Sequence, residues 1–331
     1  MLEPRENPVL FGHAAAEATF VQAIDANRTH HAWLLTGPSG VGKATMAYRL
    51  ARRLLVPGNP NAPQNPAFRR MARGSHSDLL TVERAYDPKS KKLKTSIAVE
   101  QTRGISAFMH LTAAEGGWRV VIVDGADDMN PNAANALLKI LEEPSRRGIL
   151  FLTADAPGRL LPTIRSRCRR LQLNPLTDAE MTAALAHLLP DMPSPERARL
   201  AAIAEGAPGQ AVELAGEGAL AISALVDAVL AEATQNRIAV PRMHDVAERA
   251  TKTDTGFATF MTLLQAGIGK AVRTAALAGH ATWGAARPTP RPLAEWGEVW
   301  HALGRLQHET ERFNLDKRTA IIAGLELLSH A

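Results

Sequence analysis

Ala32-Trp33-Leu34-Leu35-Thr36-Gly37-Pro38-Ser39-Gly40-Val41-Gly42-Lys43-Ala44-Thr45 is the stretch that decides the fold. An apolar run of strand length leads into a glycine-rich turn, and Lys43 to Leu55 follows with helical character. Strand, loop and helix in that order form a phosphate-binding unit. The spacing Gly37-x-x-x-x-Gly42-Lys43 fits the P-loop pattern. Glycines let backbone N–H groups converge on phosphate oxygens with no Cβ in the way. The helix starting at Lys43 aims its positive end at the same place, and the lysine ammonium adds a full charge. Gly37, Pro38, Ser39, Gly40, Val41, Gly42, Lys43, Ala44 and Thr45 are therefore the candidate nucleotide-binding residues. One position departs from the pattern. A Ser or Thr hydroxyl after the lysine would hold Mg²⁺, but Ala44 stands there and a methyl group cannot coordinate a metal. Thr45 lies about 100° further around the helix and would need a register shift to replace it.

Outward from the loop, Val120-Val121-Ile122-Val123 reads as a short buried strand ending in Asp124. An acid at such a strand tip would face the loop and hold a metal through water. Gly125 follows it, and Asp127 and Asp128 would need an unusual turn to act in its place. Ile149 to Leu152 is another buried strand, with Thr153 at its end. Leu79 to Val82 and Leu171 to Leu173 read as further strands. Helical segments over 13–26, 99–109 and 132–142 alternate with them, the last stopped by Pro144. Alternating strands and helices predict an α/β fold with a parallel sheet covered on both faces. The proline-rich residues 56–75 read as loop, and 87–94 as an exposed hairpin tip with Lys89, Lys91, Lys92 and Lys94.

After Asn174-Pro175 the β-branched runs stop. Thr177 and Glu180 form a capping box that starts a helix to Leu189, and shorter helices follow near 194–204 and 208–215. Residues 218–331 show only helical periodicity, interrupted by a linker at Arg287-Pro288-Thr289-Pro290-Arg291-Pro292. The expected division is a P-loop domain over 1–173, a small helical lid over 174–216 and an all-helical C-terminal domain over 217–331.

A chain of 331 residues is long for one domain, and 46% hydrophobic with 21% charged residues supplies real cores. The formal net charge of +5 is compatible with nucleic acid but does not demonstrate it. A single cysteine, Cys168, builds neither an internal disulfide nor a four-cysteine zinc site, and reads as a small buried apolar residue. No apolar signal core opens the chain, and no run reaches the ~18 apolar residues of a membrane helix, so a cytoplasmic protein without membrane contact is expected. His30 and His31 read as structural, and Trp118, Trp283, Trp296 and Trp300 as packing residues.

Three further segments carry a family resemblance. Asn132-Ala133-Ala134-Asn135-Ala136-Leu137-Leu138-Lys139-Ile140-Leu141-Glu142-Glu143-Pro144 closely resembles the helix after the acidic strand in AAA+ clamp-loader subunits of bacterial DNA polymerase III. Ser166-Arg167-Cys168 resembles the SRC motif of those subunits, and Asn314-Leu315-Asp316-Lys317-Arg318 is similar to a segment near the C-terminus of the delta-prime branch. The resemblance implies that Arg167 is an arginine finger offered to ATP on a neighbouring subunit, and that Thr153 is a polar sensor of the γ-phosphate. It also implies a helical collar from 217 onward, gamma/tau and delta subunits as partners, and a sliding clamp and primed DNA handled through the complex. Active AAA+ ATPases carry a glutamate where Gly125 stands, and motor subunits carry a lid arginine where Glu205-Gly206-Ala207-Pro208-Gly209-Gln210-Ala211 has none. With Ala44, these departures leave ATP or ADP as candidate ligands of a degenerate loop, Mg²⁺ weak or absent, and hydrolysis slow. The four-cysteine module of many relatives is missing from 56–75, so no zinc is expected. Two competing readings stay open: an active gamma/tau-like ATPase, from the intact Lys43 and Asp124, and a AAA+ DNA-binding protein outside replication.

Overall fold

A computed structural model describes residues 3–329 except 27, 89–91, 116, 217, 236–237, 281 and 284–290. Residues Met1–Ala211 form one compact unit and Val212–Ala331 a second. The first unit opens with α1 (Ala14–Asp25), β1 (Ala32–Thr36), α2 (Lys43–Leu55), α3 (Pro66–Ala72) and β2 (Leu79–Val82). A small hairpin, β3 (Tyr86–Asp87) and β4 (Lys92–Leu93), precedes α4 (Val99–His110), β5 (Arg119–Val123), α5 (Pro131–Glu142), β6 (Gly148–Ala154), α6 (Pro162–Ser166) and β7 (Arg169–Gln172). Then come α7 (Asp178–Leu188), α8 (Ser194–Ile203) and α9 (Pro208–Gly216), the last running across the division between the units.

Five strands form one parallel sheet in the order β2-β5-β6-β1-β7. The three central strands are buried along their whole length, so they read as continuous apolar runs and not as alternating ones. Alternation survives in which face each residue supplies. Trp33, Leu35, Val120, Ile122, Ile149 and Phe151 pack with Phe20 of α1 and Met46 and Leu50 of α2. Leu34, Val121, Val123, Leu150 and Leu152 pack on the other face with Ile105 of α4, Leu137 of α5 and Ile164 of α6. Each fully buried large side chain contributes about 1.5–3 kcal/mol. Phe151 sits 5.4 Å from the Phe20 ring, and its truncation to Ala would cost about 3–5 kcal/mol.

Residues 56–75 are not loop throughout. Asn65 caps α3 by accepting from Ala67 N at 2.9 Å, and Pro66 occupies the first helical turn, where its missing N–H is harmless. Prolines read as breakers here mark a helix start. The hairpin pairs Tyr86 with Leu93 and Asp87 with Lys92; its tip, with Lys89 and Lys91, lies outside the described residues. The capping box of Thr177 and Glu180 is formed, with Glu180 N donating to Thr177 Oγ1 at 3.3 Å and Thr177 N to Glu180 Oε2 at 2.9 Å.

The second unit packs α10 (Ala219–Gln235), α11 (Val240–Ala250), α12 (Gly256–Leu277), α13 (Leu293–Phe313) and α14 (Lys317–Ser329) around Phe257, Phe260, Leu264, Trp296 and Leu325. It is not purely helical: β8 (Thr282–Trp283) pairs antiparallel with β9 (Arg291–Pro292). The ribbon is fixed by aromatic contacts that periodicity does not show. The Trp283 and Trp296 rings lie 4.6 Å apart, and the buried Arg291 guanidinium stacks 4.7 Å from the Trp296 ring. Of the linker, residues 287–290 lie outside the described residues. Trp300, expected to pack, is 40% exposed. Among the described residues no single helix is long and apolar enough to cross a membrane.

Candidate functional site

The sheet order brings the carboxyl ends of β5, β6 and β1 side by side, the usual place for a ligand site in a parallel α/β sheet. Gly37 to Gly42 links β1 to α2 there. Gly37 passes so close to the sheet that a Cβ would lie 2.3 Å from Leu173 O. Gly40, at φ 74°, takes a left-handed turn, and a Cβ on it would strike Gln210 N at 2.5 Å. Gly209 N donates to Gly40 O at 2.8 Å. The start of α9, in the expected lid, is thus fastened to the top of the loop.

Lys43 is buried, and its ammonium donates to Gly37 O at 2.9 Å and Pro38 O at 2.6 Å. It also lies 2.5 Å from Asp155 Oδ1. An ammonium has three N–H donors, and these three partners match them in number. Asp124, at the end of β5, accepts from Thr153 Oγ1 at 2.6 Å, and Thr153 Oγ1 in turn accepts from Gly125 N at 2.8 Å. Burial pushes the Asp124 carboxyl above its ordinary range, opposed by the Thr153 hydrogen bond and the Lys43 charge. Glu83, facing the same space, is pushed up by burial and by the Asp124 charge.

Both later acids make contacts within the chain itself. Asp127 Oδ2 accepts from Asp155 N at 3.1 Å and Ala156 N at 2.7 Å, so it braces the turn after β6. Asp128 pairs with Arg84 Nε at 3.3 Å. The cavity above these groups, about 660 Å³, also receives Ser39, Ala44 and Thr45. Five carboxylates line it against three cations, Lys43, Arg84 and Arg159. Ala44 lines the cavity at the position where a Ser or Thr hydroxyl would hold a metal. Two of the five carboxylates are already paired, Asp155 with Lys43 and Asp128 with Arg84.

Arg167 follows α6, in a different setting. Its side chain is 36% exposed, Nη1 donates to Thr163 O at 3.1 Å, and Nη2 lies 2.9 Å from Glu142 Oε1. Its neighbours are tied to the chain's own domain: the Arg169 guanidinium stacks 4.9 Å from the Trp33 ring, and Arg170 Nε donates to Thr36 Oγ1 at 3.0 Å. Cys168 is half-buried against the sheet core, and burial pushes its thiol up to about 12, which suppresses thiolate chemistry. His30 and His31 stack with rings 4.5 Å apart beside β1.

The structure thus brings together the loop, Asp124 and Thr153 as the sequence predicts, and keeps Arg167 outside that group. Sequence reading missed Asp155 as the partner of Lys43, Glu142 as the partner of Arg167, and Gly209 as the contact on Gly40. It also missed Arg52 of α2, 1% exposed, which donates to Asn7 O at 2.9 Å and holds the N-terminal segment down. Burial lowers that guanidinium to about 10.

Comparison with known proteins places these features. The chain is 41% identical over 192 residues to the DNA polymerase III subunit delta' of Pseudomonas aeruginosa, covering 57% of this chain and 56% of that protein. It is 34% identical over 199 residues to the delta' subunit of Escherichia coli, covering 59% and 57%. To the gamma/tau subunit of Mycobacterium tuberculosis it is 32% identical over 177 residues, covering 54% and 30%. The chain spans little more than half the length of the delta' relatives it matches. A sequence model of one family matches residues 12–177, which is half of the chain and holds the whole sheet, the loop and Arg167. That match makes the chain a member of the family described as DNA polymerase III, delta subunit.

Proposed function

We propose that the chain works as a delta-prime-type subunit of a clamp loader, donating Arg167 to ATP bound by a neighbouring gamma/tau subunit and hydrolysing little ATP itself. The observation that carries this reading is a contrast within one domain. Lys43 is saturated by its own loop and Asp155, while Arg167 presents a guanidinium at the surface. A guanidinium is always charged and planar, so it can bridge phosphate oxygens of another chain. Ala44, Gly125 and the lid segment without arginine weaken the chain's own site in the same direction.

In this reading the P-loop domain (1–173) and lid (174–216) carry a degenerate site for ATP or ADP, with little use of Mg²⁺ and none of zinc. The helical region 217–331 joins the chain to gamma/tau and delta subunits. The assembled ring opens the sliding clamp and sets it on primed DNA in the cytoplasm. The test is ATP hydrolysis by the reconstituted complex. Arg167→Ala should lower it about 10³-fold at the site the arginine serves, with the complex still assembled. An unchanged rate removes the assignment. The gamma/tau-like alternative predicts brisk magnesium-dependent turnover by the isolated chain; near-background turnover rejects it.

A further inference from the structure

At the surface occupied by Arg167, one contact has no evident use in holding the fold. α5 ends at Glu142, whose carboxylate Oε1 lies 2.9 Å from Arg167 Nη2. Both side chains are well exposed, 36% for Arg167 and 52% for Glu142, and ion pairs between such groups add little to stability. The place is also poor for a carboxylate. The last turn of a helix carries the negative end of its dipole, and Glu142 and Glu143 stand there together. What the contact does achieve is geometric. Glu142 takes one Nη of the fork and Thr163 O takes the other at 3.1 Å. A guanidinium has five N–H donors in a rigid plane, so two anchored donors fix the plane and leave three. The other three have no protein partner among the described residues.

We propose that Glu142 is a positioning residue for Arg167. With Thr163 O it fixes the guanidinium plane at the end of α5, leaving the free donors for a polyphosphate held by another chain. This rests on the reading of Arg167 given above. Two anchored donors hold the plane while the remaining three engage the polyphosphate, so the anchor stays in place as the finger acts. Losing the carboxylate frees the side chain to sample other rotamers. A loss of orientation appears in kcat, while nucleotide affinity, set by the neighbour's own loop, does not change.

The test is steady-state ATP hydrolysis by the reconstituted complex carrying Glu142→Gln, Glu142→Asp, Arg167→Ala, or Glu142→Gln with Arg167→Ala. Glu142→Gln should lower kcat roughly tenfold with KM unchanged. Glu142→Asp, which keeps the charge, should recover part of that loss. In the Arg167→Ala background Glu142→Gln should add nothing, and the melting temperature of the isolated chain should stay at the wild-type value. Wild-type kcat for Glu142→Gln overturns the proposal while leaving Arg167 as the finger. An equal loss in both backgrounds, or a loss that follows the melting temperature, also overturns it by giving Glu142 a separate or purely structural role. If Arg167→Ala itself is without effect, both readings fall together.

Discussion

Two cationic side chains of the first unit, Lys43 and Arg167, meet opposite fates. Lys43 sits where a nucleotide phosphate would bind and is turned inward, held by Gly37 O, Pro38 O and Asp155. Arg167 lies outside the group around the loop and stays at the surface, with three of its five N–H donors without a protein partner among the described residues. The acids near Lys43 are likewise engaged: Asp124 by Thr153, Asp127 by backbone N–H groups, Asp128 by Arg84. The difference teaches that a shared backbone shape does not make a shared chemistry. The loop connects β1 to α2 and accepts at Gly40 O from Gly209 N, while its lysine is held by its own backbone and Asp155.

The sharpest way to break this contrast is to substitute both cations in the assembled complex. Arg167→Ala should cost about 10³-fold at one site, whereas Lys43→Ala should leave ATP hydrolysis within about twofold of wild type. A comparable loss for Lys43→Ala would make the inward-turned site a working one. A smaller effect concerns the contact between Gly209 and the loop. A Cβ at Gly209 would lie 2.9 Å from Gly40 O and 3.0 Å from Gly40 Cα, both backbone atoms. Gly209→Ala should therefore destabilise the chain by about 1–3 kcal/mol in urea unfolding, and an unchanged midpoint would show that the start of α9 does not bear on the loop.

Smaller still is the gain from freeing Lys43. Asp155 is half-exposed, so solvent screens its pair with the buried Lys43. Asp155→Ala should raise the affinity of the isolated chain for ATP by roughly two- to fivefold, read by calorimetry. The smallest expected effect is a pH dependence at Asp124. Its folded carboxyl titrates above the ordinary aspartate value, so between those two values the folded state binds more protons than the unfolded one. Its contribution to stability therefore falls as pH rises through that window. Asp124→Asn, which can still accept from Thr153, should gain on the wild type as pH rises above the ordinary aspartate value and lose that advantage in acid. The opposite trend would mean that Lys43 and Thr153 outweigh burial.

Much of this was legible in the sequence for local reasons. The strand–loop–helix at 32–55 is set by an apolar run, glycine spacing and helical character that neighbouring residues impose on each other. The box at Thr177 and Glu180 spans four residues and formed as read. Failures came where a residue's meaning depended on distant atoms. Pro66 looked like one more breaker until Asn65 capped the helix it starts. Arg291-Pro292 looked like linker until Trp296 and Trp283 gathered the ribbon. Trp300 looked like core and is exposed in the chain alone.

The amino-acid order by itself determined that there would be a phosphate-type loop, an acid at a strand end and a hydroxyl missing at Ala44, because backbone conformation and side-chain chemistry at one position are local properties. Only the tertiary structure decided what each charge would face. Strand order β5-β6-β1 is a long-range choice, and it is this order that brings Asp155, just past β6, against Lys43 and lets Thr153 hold Asp124. The packing of α5 beside α6 likewise set Glu142 against Arg167 and left the arginine outside the core. Charges act through space and not along the chain, so their partners are fixed only when the sheet has formed.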